Sequence, residues 1–399
     1  VIPVDDALAI ITGAAKPLGE LELPHIAALG HVLAAPVYSA SELPPFDQSA
    51  VDGYAVRHAD IASVPVTLPV KGVVTARGQE KRPFLDLGTM MRIFTGGVVP
   101  DGADTIVRQE ATEYGGDERT TVTEPIALGA DLRRAGEELP AGSLVADAGA
   151  VVTPGLVGAV ATVGALELRV RSRPTVSVFV TGDEVVSPTH GPLELGQVFD
   201  SNGPMIAAHM KTWGIGNAVG WQHLHDSESM LRSDLDRAFQ HADLIITTGG
   251  VSVGDLDYIP KVAQELGAEV LFHKVAQKPG MPLFVAKRDG CLLMGLPGNP
   301  GAVFVNLHVY VRALLDTMAG LDPRARWRRA PMPDGIRREK VKTFWLRARA
   351  VYEDDGSVRI EQLGHQASHM LSNLADATAL VRIPPEGEDA DTVEWLPLL

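Results

Sequence analysis

From Pro174 to about Gly320 the chain alternates short runs of aliphatic and β-branched residues with longer stretches of helical periodicity. No other feature constrains the fold as strongly. Apolar runs of this length, each followed by a helix, are what a parallel sheet covered on both faces requires. The expected strands are 176–180, 218–222, 244–248, 269–273, 284–286 and 292–296, and the expected helices are 204–212, 229–241, 258–266 and 302–320.

The rest of the sequence does not share this pattern, and at 399 residues the chain is too long for one core. Its first stretch mixes helical patterns at 5–12 and 25–34 with an extended segment at 37–43. Residues 64–125 read as short strands rich in Val and Thr, punctuated by glycines such as Gly72, Gly88, Gly96 and Gly97. A helix with Pro154 early in it and a strand at 166–170 follow. The β-rich part is therefore read as an insertion, residues 44–133, into a discontinuous first domain of 1–43 and 134–172. An α/β domain at 173–323 and a C-terminal β domain at 324–399, with strands at 344–352, 358–362 and 379–383, complete the chain. The expected fold class is multidomain α/β: a three-layer α/β domain with a parallel sheet, an inserted β-rich domain, a discontinuous mixed α+β domain and a small C-terminal β domain.

Composition narrows the partners. Lys and Arg total 35 against 50 Asp and Glu, and the net charge of -15 opposes non-specific adhesion to nucleic acid or anionic membrane. A polyanionic ligand must then be met by local basic groups. The single cysteine, Cys291, excludes an intramolecular disulfide framework and suits a reducing compartment. Residues 1–12 carry no basic segment ahead of an apolar one, and no window reaches the roughly 18 apolar residues of a spanning helix. A cytoplasmic location is expected.

Open α/β sheets bind ligands at the carboxyl ends of their strands, where backbone N–H groups and helix starts converge. Three glycine-bearing loops leave such ends here. They are Thr181-Gly182-Asp183-Glu184, then Thr247-Thr248-Gly249-Gly250-Val251-Ser252-Val253-Gly254-Asp255 running on to Asp257, and Leu296-Pro297-Gly298-Asn299-Pro300. Glycine lets backbone approach a phosphate closely, while Glu184, Asp255 and Asp257 are hard oxygen ligands suited to a divalent cation such as magnesium. Any one loop alone reads more readily as a turn with a helix-capping carboxylate; three in one domain favour phosphate plus magnesium. None has the spacing of a Walker A or dinucleotide fingerprint. Lys274 and Lys278, ahead of Pro279-Gly280, read either as an oxyanion-neutralising pair or as two solvated lysines beside a turn. Leu43-Pro44-Pro45-Phe46-Asp47-Gln48-Ser49-Ala50-Val51-Asp52-Gly53-Tyr54 combines stiffness with a density of polar groups that suits a folded binding loop. His223, His225, His241 and His273 lack the spacing of a helical zinc motif.

These strings, together with Arg92-Ile93-Phe94-Thr95-Gly96-Gly97, occur in the order of one family. The chain resembles the molybdopterin molybdenumtransferases, the MoeA family that includes the gephyrin E domain, along nearly its whole length. The resemblance implies a homodimer of four-domain protomers that inserts molybdate into adenylylated molybdopterin and releases AMP. It places the adenylylated pterin on the α/β domain, in a cleft shared with the last domain and closed by the partner's inserted domain. Matched motif by motif, catalytic roles fall to Asp52, Glu184, Asp226, Asp257, Lys274 and Lys278. Substrate contacts fall to Thr95, Arg133, Glu138, Thr181, Gly182, Asp183, Gly249, Gly250, Ser252, Asp255, Pro297, Gly298, Asn299, Pro300, Arg347 and Ser368. In this reading Lys278, Arg347 and the Ser368 hydroxyl hold the molybdate dianion, and Glu184 and Asp257 hold magnesium on the pyrophosphate, with Asp226 nearby. The upstream molybdopterin adenylyltransferase is the expected protein partner besides a second copy of the chain.

Three positions depart from the family pattern. Glu138 stands where Asp is common, Met281 where many members have Lys, and Gly301-Ala302 where Val-Ser is usual after Asn-Pro. The last two remove polar groups near the oxyanion, a loss of about 2–4 kcal/mol if both point inward. A non-catalytic pterin carrier or scaffold is therefore an alternative. So is a relative sharing only the α/β domain, such as the adenylyltransferase or a nucleotide pyrophosphatase, although such chains lack the inserted Asp-Gln-Ser-Ala-Val-Asp-Gly-Tyr loop.

Overall fold

The computed structural model describes the chain except for residues 79, 117, 216–220, 225–226, 252–257, 337, 389–390 and 399. It divides into two compact units, one of Val1–Leu21, Gly30–Val32 and Val170–Leu399, the other of Glu22–Leu29 and Leu33–Arg169.

In the first unit a six-stranded sheet runs in the order Trp221–Leu224, Val176–Thr181, Leu244–Thr248, Cys291–Leu296, Phe284–Arg288, Glu269–His273. Neighbours among the first four strands are parallel. Phe284–Arg288 is antiparallel to both its neighbours and so departs from the parallel expectation. The cause is local: Asp289 (φ 51°) and Gly290 (φ 94°) form a two-residue left-handed turn that sends the chain back as a hairpin.

Alternate residues of the central strands serve opposite faces. Val176, Val178, Leu244, Ile246, Leu292 and Met294 pack with Ile206 and Met210 of helix Asn202–Thr212 and with Val303, Leu314 and Met318. Phe179, Ile245 and Leu293 pack with Leu231, Leu235 and Phe239 of Glu228–His241 and with Ile259 and Val262 of Ile259–Glu265. Burial on both faces explains why these strands read as unbroken apolar runs. The long helical run is continuous from Pro300–Asn306 through a π-helical Leu307–Val311 to Arg312–Met318. Helix Val4–Ala14 buries Val4, Ala7, Leu8 and Ile11 in the first of these cores.

A second sheet in this unit is built on Thr343–Tyr352, which pairs with Gln277–Lys278, Val358–Gln362 and Ala379–Ile383. Thr392–Pro397 and Arg328–Pro331 extend it beyond the three strands read from sequence. The second unit holds a six-stranded sheet in the order Thr105–Arg108, Gly53–Val56, Met90–Ile93, Val66–Val74, Arg119–Val122, Thr112–Gly116. The helix expected at 25–34 is absent: residues 25–30 form turns. The next N–H groups are drawn into long-range pairing, from Leu33 to Ala150 O at 2.9 Å and from Ala34 to Arg169 O at 2.9 Å. No helix among the described residues is long and apolar enough to cross a membrane.

Candidate functional site

At the carboxyl ends of the parallel strands lies a cavity of about 690 Å³. Thr181, Gly182 and Glu184 from the first loop line it, with Gly249 and Gly250 from the second and Pro297, Gly298, Asn299 and Pro300 from the third. The loops are held edge to edge. Gly249 donates its N–H to Leu296 O at 3.0 Å, and Thr181 Oγ1 donates to Thr248 O at 3.1 Å. A Cβ on Gly249, whose φ is +82°, would lie 2.6 Å from Thr181 Oγ1, so the approach requires glycine. The Glu184 carboxylate folds back over Gly182, where a Cβ would sit 2.8 Å from Oε2.

A wall not singled out from the sequence comprises Phe199, Asp200, Ser201 and Asn202. Asp200, 4% exposed, accepts the N–H groups of Asn202 and Gly203 through Oδ1 at 2.9 and 3.0 Å, which starts helix Asn202–Thr212. Its Oδ2 lies 3.2 Å from His223 Nε2. Asn202 Nδ2 donates to Gly298 O at 2.8 Å, joining this wall to the third loop. The sequence signal was Asp-Ser-Asn-Gly directly before a helix, which by itself reads only as a cap.

His369 and Leu371 complete the lining from a loop that follows Val358–Gln362. Asn299 Nδ2 donates to Ser368 Oγ at 3.1 Å and Gly301 N–H to Ser368 O at 2.8 Å, so Ser368 adjoins the third loop. Arg347 lies behind, fully buried. Its Nη1 donates to Met370 O at 2.9 Å, and its Nη2 to His365 O and Ala367 O at 2.8 and 3.0 Å. Burial lowers its pKa from the ordinary guanidinium value. This packing accounts for Gly301. A Cβ there would lie 2.5 Å from Arg347 Nη1 and 2.8 Å from Ser368 O, so glycine is a steric requirement of this packing.

Asp183, Lys274 and Lys278 belong to the same unit but do not line the cavity. Lys274 is half-buried with φ 75°. Lys278, 58% exposed, pairs with Glu339 at 2.8 Å between Nζ and Oε1. Asp226, Ser252, Asp255 and Asp257 lie outside the described residues. In the second unit Asp52 Oδ1 accepts both the N–H and the hydroxyl of Thr95, each at 2.8 Å. These two bonds, the N–H first, hold the Asp52 pKa below the usual carboxylate value. Arg133 and Glu138 are exposed in that unit, Arg133 opposite Gln48 in a short antiparallel pair. Among the described residues no three His, Cys, Asp or Glu side chains gather into a metal cluster.

Three family descriptions match in chain order. They are the MoeA N-terminal region (domain I and II) over residues 2–164, a probable molybdopterin binding domain over 177–317, and the MoeA C-terminal region (domain IV) over 329–398. A molybdopterin molybdenumtransferase of Staphylococcus aureus (strain Mu50) is 31% identical over 388 residues, covering 96% of this chain and 91% of its own length. The chain belongs to the molybdopterin molybdenumtransferase family. A family member from Staphylococcus epidermidis is 32% identical over 361 residues, which is 89% of this chain and 85% of that one. A solved molybdopterin biosynthesis MoeA protein from Pyrococcus horikoshii superposes with a TM-score of 0.79 at 28% identity, over 100% of this chain and 99% of its own. A second, at 24% identity and a TM-score of 0.80, shares the fold over 100% of both chains. Matches on both sides of the α/β domain separate this chain from relatives that consist of that domain alone.

Proposed function

We propose that the chain is an enzyme of molybdenum cofactor biosynthesis that inserts molybdate into adenylylated molybdopterin and releases AMP. The observation that carries this reading is the convergence of Thr181, Gly182 and Glu184 with residues 249–250 and 297–300 on one cavity at the strand ends, in a chain of this family. Backbone N–H groups of the glycine loops cradle the pyrophosphate. The Ser368 hydroxyl and the Lys278 ammonium present molybdate beside the pterin sulfurs. Arg347, which the resemblance makes a molybdate ligand, is committed to three loop carbonyls and acts instead by fixing Ser368 in place.

Carboxylates suit magnesium, which keeps several of its own waters and needs few protein ligands. Glu184 lines the cavity and, with Asp257, would hold the ion. The ion would offset charge on the phosphate that leaves as AMP. The protein acts in the cytoplasm as a homodimer of four-domain protomers, and the partner's Asp52, set by Thr95, completes each site. The upstream molybdopterin adenylyltransferase supplies the substrate. The carrier alternative rests on Met281 and Ala302, which offer an oxyanion no polar side chain.

The test is turnover. Purified protein with adenylylated molybdopterin, magnesium and micromolar molybdate should release AMP, and Lys278→Ala should slow that release at least about tenfold, as loss of a charge-assisted hydrogen bond implies. Pterin binding without AMP release would establish the carrier reading instead.

A further inference from the structure

We infer that Glu339 is a competing carboxylate that sets the molybdate concentration at which the site fills, an inference that rests on the functional reading above, in which Lys278 holds the oxyanion. Lys278 Nζ is 2.8 Å from Glu339 Oε1, and the two side chains are 58% and 32% exposed. A dianion brought to this ammonium comes within a few ångströms of the carboxylate on it, and like charges at such range repel. Glu339 therefore competes with the dianion for the Lys278 ammonium.

Both backbones are moored, so the competition falls to the side chains. On the lysine side, Gln277 and Lys278 pair with Thr343 and Phe344. The Gln277 side chain, fully buried, donates to Gly280 O at 2.9 Å and Asn306 Oδ1 at 2.7 Å, and accepts from Tyr310 OH at 2.7 Å and Trp345 Nε1 at 2.8 Å. On the glutamate side, Glu386 N–H donates to Glu339 O at 2.8 Å. The adjacent Arg338 donates to Pro384 O at 3.0 Å and Glu388 O at 2.6 Å. The competitor is thus a tethered monoanion at constant local concentration. It is displaced readily by a dianion such as molybdate or tungstate and poorly by a monoanion, so Glu339 selects by charge.

The experiment is AMP release against molybdate concentration at saturating adenylylated molybdopterin, for wild type, Glu339→Gln and Glu339→Asp, with thermal melting to confirm folding. Glu339→Gln should lower half-saturating molybdate about two- to fivefold, the range set by exposed ion pairs, with kcat unchanged. Glu339→Asp, which keeps the charge on a shorter arm, should fall between. Added salt should shrink the difference. A folded Glu339→Gln protein with unchanged or raised half-saturating molybdate, or with a lowered kcat, overturns the inference while leaving the functional reading intact. Wild-type protein that releases no AMP overturns both.

Discussion

Gly301 and Asn202 owe their importance to neighbours that sequence spacing does not bring near them. Gly301 faces Arg347 and Ser368 from another sheet's loop, and Asn202 reaches Gly298 almost a hundred positions away in the chain. The residues legible as site candidates were those that carry their own signature, namely glycines with carboxylates at strand ends. Asp200 and Asn202 were illegible because a helix-capping string looks the same whether or not a cavity lies beside it. The contact at Gly301 gives a prediction. In Gly301→Ala the added methyl must displace the Arg347 guanidinium or the Ser368 carbonyl, at a cost of about 1–3 kcal/mol for overpacking. Urea unfolding should show that loss. AMP release at fixed sub-saturating molybdate should fall with it, since Ser368 is held by the same contact. Wild-type stability in this variant would mean that the loop is looser than its hydrogen bonds imply.

Among the elements, the π-helical turn Leu307–Val311 has the clearest thermodynamic consequence. It carries His308, 1% exposed, whose two ring nitrogens have no partner among the described residues. The ring lies 4.5 Å from that of Phe304 and 4.6 Å from that of His209, centroid to centroid. Burial first, then His209, Arg326 and Arg312, push its pKa well below the ordinary value. A depressed histidine pKa means that the folded state binds fewer protons than the unfolded chain below about pH 6.5. The associated stability is complete above that pH and is lost as pH falls, by about 1.4 kcal/mol per pH unit for one proton. His308→Phe should flatten the decline in urea midpoint between pH 6.5 and 5, leaving the smaller contribution of His209, also lowered by burial. An unchanged slope would show that His308 is protonated in the folded state. The period of the sequence made the helices and central strands readable. It did not distinguish direction within the sheet, although Asp289-Gly290 between two aliphatic runs was a usable hairpin signal. Nor did it foresee that His25, Leu33 and Ala34, at the two ends of a segment helical in period, would give their N–H groups to distant carbonyls.

At the scale of the molecule, the two compact units divide the candidate residues between them. The cavity, Lys278, Arg347 and Ser368 lie in the first, whereas Asp52, Thr95, Arg133 and Glu138 lie in the second. Sequence motifs named both groups, and only the resemblance assigned the inserted domain, with Asp52 and Thr95, to the partner copy. The proposed homodimer makes the division testable, because a site assembled from two copies can be rebuilt from two different defective ones. Asp52→Ala and Lys278→Ala chains, each impaired alone, should regain activity when unfolded and refolded together. Random association makes half of the dimers mixed. Each mixed dimer then has one site carrying both defects and one carrying neither, so recovery should approach about a quarter of the wild-type rate. Analytical ultracentrifugation of the mixture establishes that dimers form at all. If mixed dimers form and AMP release stays at the level of the single variants, each copy must supply its own Asp52, and the partner's role in the site is lost.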